Sequence, residues 1–206
     1  RGLAGGQLLS QEGYAGKDRL GAFGSYQWLG APALKPNDLL GLAASRPLLH
    51  GAALADFLQR AAGHCGALVG MLEDLPLAAN RVRLVQGEDA HGVPLVDVVH
   101  DADPATLALA QRVRDEGLRI LAAAGAEEAW AGDLRPLHNL GGTPMGRDPQ
   151  ASVTDGFGRT HDHPNLFVAG NSLFPSAGAV HPTFTTHALA LRAAEQLVAE
   201  WGDYAG

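Results

Sequence analysis

The chain has 206 residues, of which 46% are hydrophobic and 18% charged, a composition ordinary for a folded protein of one or two domains. Its formal net charge of -7 at pH 7 argues against a nucleic-acid partner, because phosphate binding needs clustered Lys and Arg. No apolar run approaches the roughly 20 residues of a membrane span, and the N-terminus lacks a signal-peptide layout, so we expect a soluble protein, cytoplasmic rather than secreted.

The first half of the chain is predicted to contain one helix and several strands. Residues 1–45 are rich in Gly with few periodic apolar positions, which favours short strands and loops. From Arg46 to His64 apolar residues recur every four positions, as on one face of a helix. Three apolar runs of strand length follow: 67–72, 81–85 and 93–99. With residues 86–92 as a hairpin loop, the sequence predicts an antiparallel meander.

Two longer helices are predicted in the second half. Asp103 is a suitable N-cap and Pro104 a suitable first helical residue, and the apolar periodicity then continues to Gly125. A buried-type run from Asn165 to Gly170 predicts a strand. The final helix is predicted from about Thr183 to Trp201. Its apolar stripe comprises Phe184, Ala188, Leu191, Ala194, Val198 and Trp201. We expect this stripe to need a larger sheet than the chain itself supplies.

Two segments carry the residues suited to chemistry. One runs from His138 to Gly146; the other passes through the predicted strand end at Gly170 and reaches His181, just before the last helix. Strand ends and helix N-termini in α/β folds present free backbone N–H groups, and electron-rich groups collect there. The sequence therefore predicts a ligand site formed by these two segments.

Four motifs in and next to these segments resemble one known family. They are His-x-x-Gly-Gly-Thr-x-Met-Gly at 138–146, Asp-Pro-Gln-Ala-Ser-Val-Thr-Asp at 148–155, Asn-Leu-Phe-Val-Ala-Gly-x-Ser-x-Phe-Pro at 165–175, and Pro-Thr-x-Thr at 182–185. In this order they resemble the C-terminal portion of the FAD-dependent GMC (glucose–methanol–choline) oxidoreductases. The resemblance is dense from His138 to about Leu197, looser from Glu73 to Gly125, and weak over residues 1–66.

The resemblance implies an α+β fold. Residues 1–150 would form a substrate-binding domain with an antiparallel sheet and helices. Residues 151–206 would supply the C-terminal strand and helix of an α/β FAD-binding domain whose N-terminal half is missing from this sequence. The first residue is Arg1 rather than an initiator Met, which also suggests that something precedes it.

The resemblance also implies a pair of catalytic residues, His138 and His181. His138 would act as general base or hydrogen-bond partner for the substrate hydroxyl. His181, at a position that the family fills with His or Asn, would hold the same oxygen. Imidazole suits this chemistry, because its pKa near neutrality lets it take a proton at physiological pH. No metal is expected, since a solvated turn explains His161-Asp162-His163 better than a metal site does.

Cofactor contacts follow from the same resemblance. Ala169, Gly170 and Asn171 correspond to the strand-end turn beside the ribityl and pyrophosphate groups of FAD. Pro182 and Thr183 correspond to the helix start at the pyrimidine edge of the flavin; because Pro has no N–H, Thr183 is the expected donor. The Gly-x-Gly-x-x-Gly turn that binds the ADP half is absent from the sequence, so we expect a further flavin-binding segment or a separate chain to supply it.

Three functions stay open at this point. The first is an oxidoreductase that oxidises a small-molecule alcohol or a sugar hydroxyl with FAD. The second is a hydroxynitrile lyase-like enzyme on the same scaffold, which keeps the flavin without cycling it. The third is a non-catalytic subunit that completes a flavoprotein.

Overall fold

The structure, a computed structural model, describes residues 8–14, 24–31, 35–46 and 48–204. In chain order its elements are β1 (Leu8–Ser10), β2 (Tyr26–Ala31), α1 (Pro36–Ala43), α2 (Gly51–Ala61), β3 (Ala67–Leu72), β4 (Arg81–Glu88), β5 (Pro94–Val99), α3 (Pro104–Ala123), a 3₁₀ turn (Asn171–Leu173), α4 (Thr183–Ala199) and α5 (Trp201–Tyr204). The chain divides into two compact units. The sheet unit is Arg1–Glu73 with Pro104–Arg135, and the histidine unit is Asp74–Asp103 with Pro136–Gly206.

Strands β1, β2 and β3 form the antiparallel sheet of the sheet unit, in that order. Trp28 of β2 stands opposite Gly70 of β3, and its indole also lies against Gly117 of α3, where an added Cβ would stand 2.7 Å from the ring. Helix α3 packs on this face through Leu109 and Val113. The Trp28 indole N–H donates to Glu116 at 3.2 Å, so the large ring is both packed and hydrogen-bonded.

A second core of the sheet unit lies between α1 and α2. Its buried members are Leu39, Ala43, Phe57 and Ala61. Trp130 closes the cluster: its ring meets Phe57 edge to face at 5.9 Å, and its N–H donates to Ser45 at 2.9 Å. Cys65 packs against the same cluster, and burial raises the pKa of its thiol, as expected of a small apolar residue.

In the histidine unit, β4 and β5 form a two-stranded antiparallel hairpin. Its turn is closed by Asp89, whose carboxylate accepts the backbone N–H groups of His91 and Val93 at 2.8 and 3.0 Å. Its open end is joined by Asn80 and Asp101, since the Asn80 side chain donates to the Asp101 carbonyl and accepts the Asp101 N–H.

Four loop segments of the histidine unit are held together by isolated β-bridges rather than by a sheet. The bridges join Met145 to Thr154, Thr154 to Thr160, and Arg159 to Phe167. Thr154 is fully buried between its two neighbours. This framework fixes the segments that precede the 3₁₀ turn and α4.

The predicted helices of the second half are confirmed. Helix α3 begins at Pro104, and its C-terminus has paired hydrogen bonds from Gly125 to Ala122 and from Ala126 to Leu121, which are typical of a glycine-terminated helix. Helix α4 begins at Thr183 and its regular part ends at Ala199. The predicted helix from Arg46 to His64 is shorter, from Gly51 to Ala61, because Ala44, Ser45 and Arg46 form the turn that follows α1.

Two strand predictions are wrong in part. The predicted meander is divided, because β3 pairs with β2 rather than with β4. The run Asn165 to Gly170 does not form a regular strand. Its pairing is a single antiparallel bridge between Arg159 and Phe167, in which Thr160 donates its N–H to Leu166 and Val168 donates its N–H to Gly158. Both errors concern which segments pair, and apolar patterns do not specify pairing.

The first 45 residues contain more helix than predicted. Strands β1 and β2 agree with the expectation of short strands, whereas α1 is a helix that the sequence analysis missed. Pro36 at its start and Asp38, which accepts the Lys35 N–H at 2.8 Å, are the signals that could have located it. Residues 1–7, 15–23 and 32–34 lie outside the described part of the chain. Among the described helices, none combines the length and apolar character needed for a membrane crossing.

Candidate active site

The segment that carries His138 is fixed to the 3₁₀ turn by alternate backbone hydrogen bonds. The N–H groups of Gly141, Thr143 and Met145 donate to the three carbonyl groups of the turn at 3.1, 3.0 and 2.8 Å. His138 itself has a φ of 59°, in the left-handed region that non-glycine residues seldom adopt. Such a backbone persists where its surroundings hold it, and the hydrogen bonds that begin at Gly141 provide this support.

His181 lies immediately before α4. Pro182 caps the helix and Thr183 is its first residue, so the direction of the helix sets the position of the His181 backbone. The structure brings the rings of His138 and His181 together: their centroids are 4.8 Å apart and their planes meet at 83°. Both side chains are exposed in this chain. Two imidazoles that are 43 residues apart in sequence therefore face a common space.

Asn171, the first residue of the 3₁₀ turn, contacts both histidine segments. Its carbonyl oxygen accepts the N–H of Gly141 at 3.1 Å, on the His138 side. Its side-chain Oδ1 accepts the hydroxyl of Thr186 at 2.6 Å, on the α4 side. The Thr186 hydroxyl also lies 3.0 Å from the Pro182 carbonyl.

The backbone around the predicted cofactor contacts fits a bound electron-rich group. Gly170 caps the 3₁₀ turn with a φ of 124°, and a Cβ added there would meet no described atom within 4 Å; the preceding Ala169 is exposed. In α4 the first hydrogen bond of the helix runs from the Thr186 N–H to Pro182 at 2.8 Å, so the N–H of Thr183 precedes the regular pairing. An open backbone face and a helix N-terminus suit a flavin ring or its phosphates.

Comparison with models of protein families shows to which family the chain belongs. The model of the GMC oxidoreductase C-terminal domain matches residues 76–190, more than half of the chain. The chain belongs to the GMC oxidoreductase family. The matched range contains both histidines, the 3₁₀ turn and the first part of α4, and GMC oxidoreductases are generally FAD-dependent.

Individual GMC relatives are oxidases and dehydrogenases. The chain is similar to paromamine 6'-oxidase from Streptomyces fradiae, with 37% identity over 63% of this chain, and to the fructose dehydrogenase large subunit from Gluconobacter japonicus, with 34% identity over 79%. It is also similar to 2-methyl-1,2-propanediol dehydrogenase from Mycolicibacterium austroafricanum, with 37% identity over 64%. The chain spans 25%, 30% and 25% of these three relatives, respectively.

A further histidine of this GMC chain, His161, has a structural contact. Its Nε2 lies 2.9 Å from the Ser152 hydroxyl, but that hydroxyl donates its proton to the Asp148 carbonyl at 2.6 Å. Because a serine hydroxyl has one proton, His161 must be the donor in this pair. Ser152 is therefore not activated as a nucleophile, and the contact secures the turn that the GMC motif at 148–155 forms.

Sequence reasoning did not single out Thr186. The helix face on which Thr186 lies could have been inferred, because Thr186 follows Pro182 by four residues in a predicted helix and so lies on the same side of it. The sequence does not identify the residue to which the Thr186 hydroxyl donates its hydrogen bond. Asn171 is 15 residues upstream, and only the fold places its side chain beside α4.

Proposed function

We propose that this chain supplies the catalytic histidines of a flavin-dependent oxidoreductase that oxidises an alcohol or a sugar hydroxyl by hydride transfer to FAD. The observation that carries the proposal is the His138–His181 ring pair, with centroids 4.8 Å apart. Two hydrogen bonds of about 2.8 Å each span more than this separation, which supports the proposal that one substrate oxygen bonds to both rings.

The two histidines have different roles in this proposal. His138 takes the proton of the substrate hydroxyl, since hydride leaves the carbon only as its oxygen loses that proton. His181 holds the same oxygen by a hydrogen bond, which a neutral imidazole can donate or accept. Bound between them, the substrate carbon is oriented toward the cofactor, and orientation of this kind lowers the entropic part of the barrier.

The cofactor contacts are assigned to backbone groups of the histidine unit. Ala169, Gly170 and Asn171 would border the ribityl and phosphate groups, and Thr183, next to Pro182, would donate its N–H to the pyrimidine edge. FAD supplies the acceptor for the hydride. The remaining cofactor contacts would come from a flavin-binding segment or chain.

The proposal also divides the chain into two domains. Residues 1–150 would form the substrate-binding domain, and residues 151–206 would form the C-terminal part of the FAD-binding domain.

The relatives favour oxidation over the lyase alternative, because the three relatives described above are named as an oxidase and two dehydrogenases. We expect an alcohol or sugar substrate to bleach the flavin of the loaded enzyme under anaerobic conditions. A lyase would turn over its substrate while the flavin stays oxidised, and a non-catalytic subunit would leave the rate insensitive to either histidine.

The sharpest test replaces His138 in the flavin-loaded enzyme that contains this chain. His138→Asn removes the base and, by its role in general base catalysis, should lower the rate constant of flavin reduction by about 10²–10⁴-fold. His163→Asn is the matched control, since His163 is an exposed turn residue of the same unit and should leave the rate unchanged. Equal rates for His138→Asn and the parent enzyme would remove the assignment of His138.

A further inference from the structure

The side chains of Thr186 and Asn171 join the two histidine segments outside the ring contact. The Thr186 hydroxyl donates to Asn171 Oδ1 at 2.6 Å and is 3.0 Å from the carbonyl of Pro182, the residue after His181. The Asn171 carbonyl in turn accepts the Gly141 N–H at 3.1 Å, three residues after His138. A continuous path of hydrogen bonds thus leads from one histidine segment to the other.

The direct contact between the two rings is weak. The imidazoles meet only at an edge-to-face ring contact, which contributes on the order of 1 kcal/mol, and both rings are exposed in this chain. His138 also has the less favourable left-handed backbone, with φ 59°, so its position depends on the segment that follows it. A displacement of either segment would change the distance between the two rings directly.

We propose that Thr186 is a positioning residue, which acts through the Asn171 side chain to fix the separation of His138 and His181. This inference rests on the proposed function, because the separation matters only if both rings bind one substrate oxygen. Thr186 itself need not touch the substrate: its hydroxyl is engaged by Asn171 and by Pro182. Misplacement of a reacting group by about 1 Å costs about 10²-fold in rate, which sets the scale of the expected effect.

The test compares three substitutions at Thr186 in the flavin-loaded enzyme. Thr186→Val keeps the shape and removes the hydroxyl, and it should lower the rate constant of flavin reduction by about 10- to 100-fold. Thr186→Ser keeps the hydroxyl and should retain the rate within about 3-fold. Thr186→Ala removes the hydroxyl with the residue that helices accept best, so it serves if the Val variant folds poorly, and it should be as slow as Val.

A structural measurement separates positioning from general damage. We expect the amide of Gly141, whose N–H donates to Asn171, to exchange with solvent faster in Thr186→Val and Thr186→Ala than in Thr186→Ser. Amides of the β4–β5 hairpin in the same unit should exchange at the parent rate in all three. Faster exchange throughout the unit would indicate a general loss of stability and would overturn the positioning role.

A double-mutant comparison tests whether Thr186 acts through the Asn171 side chain. If Thr186 acts through Asn171, Asn171→Ala combined with Thr186→Val should be about as slow as the slower single variant, because coupled residues are not additive. Multiplicative effects would overturn the inference. Parent rates for the Thr186 variants beside a slow His138→Asn would overturn it and leave the proposed function intact, whereas parent rates for His138→Asn would remove the proposed function itself.

Discussion

At the scale of single residues, His138 combines an exposed imidazole with a left-handed backbone at φ 59°. The two properties can be separated by substitution. Asn tolerates this conformation, whereas a β-branched residue does not. We expect His138→Val to lower the free energy of unfolding by about 1–2 kcal/mol and His138→Asn to leave it nearly unchanged, as measured by denaturant titration. Equal stability of the two variants would show that the backbone at this position is not constrained.

Gly158 is a second position where the backbone decides. Its φ is 81°, and a Cβ there would stand 2.3 Å from the carbonyl oxygen of Val168. The N–H of Val168 donates to the Gly158 carbonyl at 2.8 Å, beside the bridge between Arg159 and Phe167. Gly158→Ala should therefore destabilise the histidine unit by at least about 2 kcal/mol. Gly178→Ala is the matched control, because no atom of the described residues lies within 4 Å of its added Cβ. Thermal unfolding of both variants gives the comparison, and a tolerated Gly158→Ala would contradict the bridge geometry.

At the scale of elements, the packing of α3 on the sheet reverses the usual effect of a Gly→Ala substitution in a helix on the free energy of unfolding. Replacing a helix-interior Gly by Ala stabilises by about 0.5–1 kcal/mol in open positions. Gly41→Ala in α1 should show this gain, because the added Cβ would have no described neighbour within 4 Å. Gly117→Ala in α3 would place a Cβ 2.7 Å from the Trp28 ring, so we expect a loss of about 1–3 kcal/mol. Measured free energies of unfolding should rise for Gly41→Ala and fall for Gly117→Ala. A more stable Gly117→Ala variant would contradict the close contact between the Trp28 ring and Gly117.

The same elements show what the sequence could predict. Helices α3 and α4 follow from long apolar periodicity together with their proline and glycine ends, and the structure has them at Pro104 and Thr183. The pairing of Trp28 with Gly70 could not be predicted from the sequence, because strand pairing across some 40 residues depends on tertiary packing rather than on local pattern.

The candidate site divides in a similar way. The resemblance identified His138 and His181 from their motifs, and their proximity is a property of the fold that no spacing in the sequence states. The bond from Thr186 to Asn171 could not be predicted, since Thr at this point in a helix more often bonds to its own preceding turn. Here the side chain reaches both that turn and another segment.

At the scale of the whole molecule, the apolar face of α4 is exposed among the residues that the structure describes. Phe184 is 91% exposed and Val198 is 75% exposed, while Leu191, Ala194 and Val198 border a shallow open groove. A helix in a folded protein normally buries such a face. If this helix completes an FAD-binding domain, as we propose, the flavin-binding segment would cover the face.

Val198, on the exposed apolar face of α4, can be used to test whether the flavin-binding segment covers that face. If the flavin-binding segment covers the face, Val198→Asp buries an unpaired charge and should lower the stability of the flavin-loaded enzyme by about 3–5 kcal/mol, even though the residue is 75% exposed in this chain. Val198→Ile keeps the site apolar and should change the unfolding midpoint little. The isolated chain offers the internal comparison: there both variants should unfold alike, because water already reaches the side chain. A flavin-loaded Val198→Asp enzyme as stable as its parent would show that the face stays exposed and that another surface receives the flavin-binding segment.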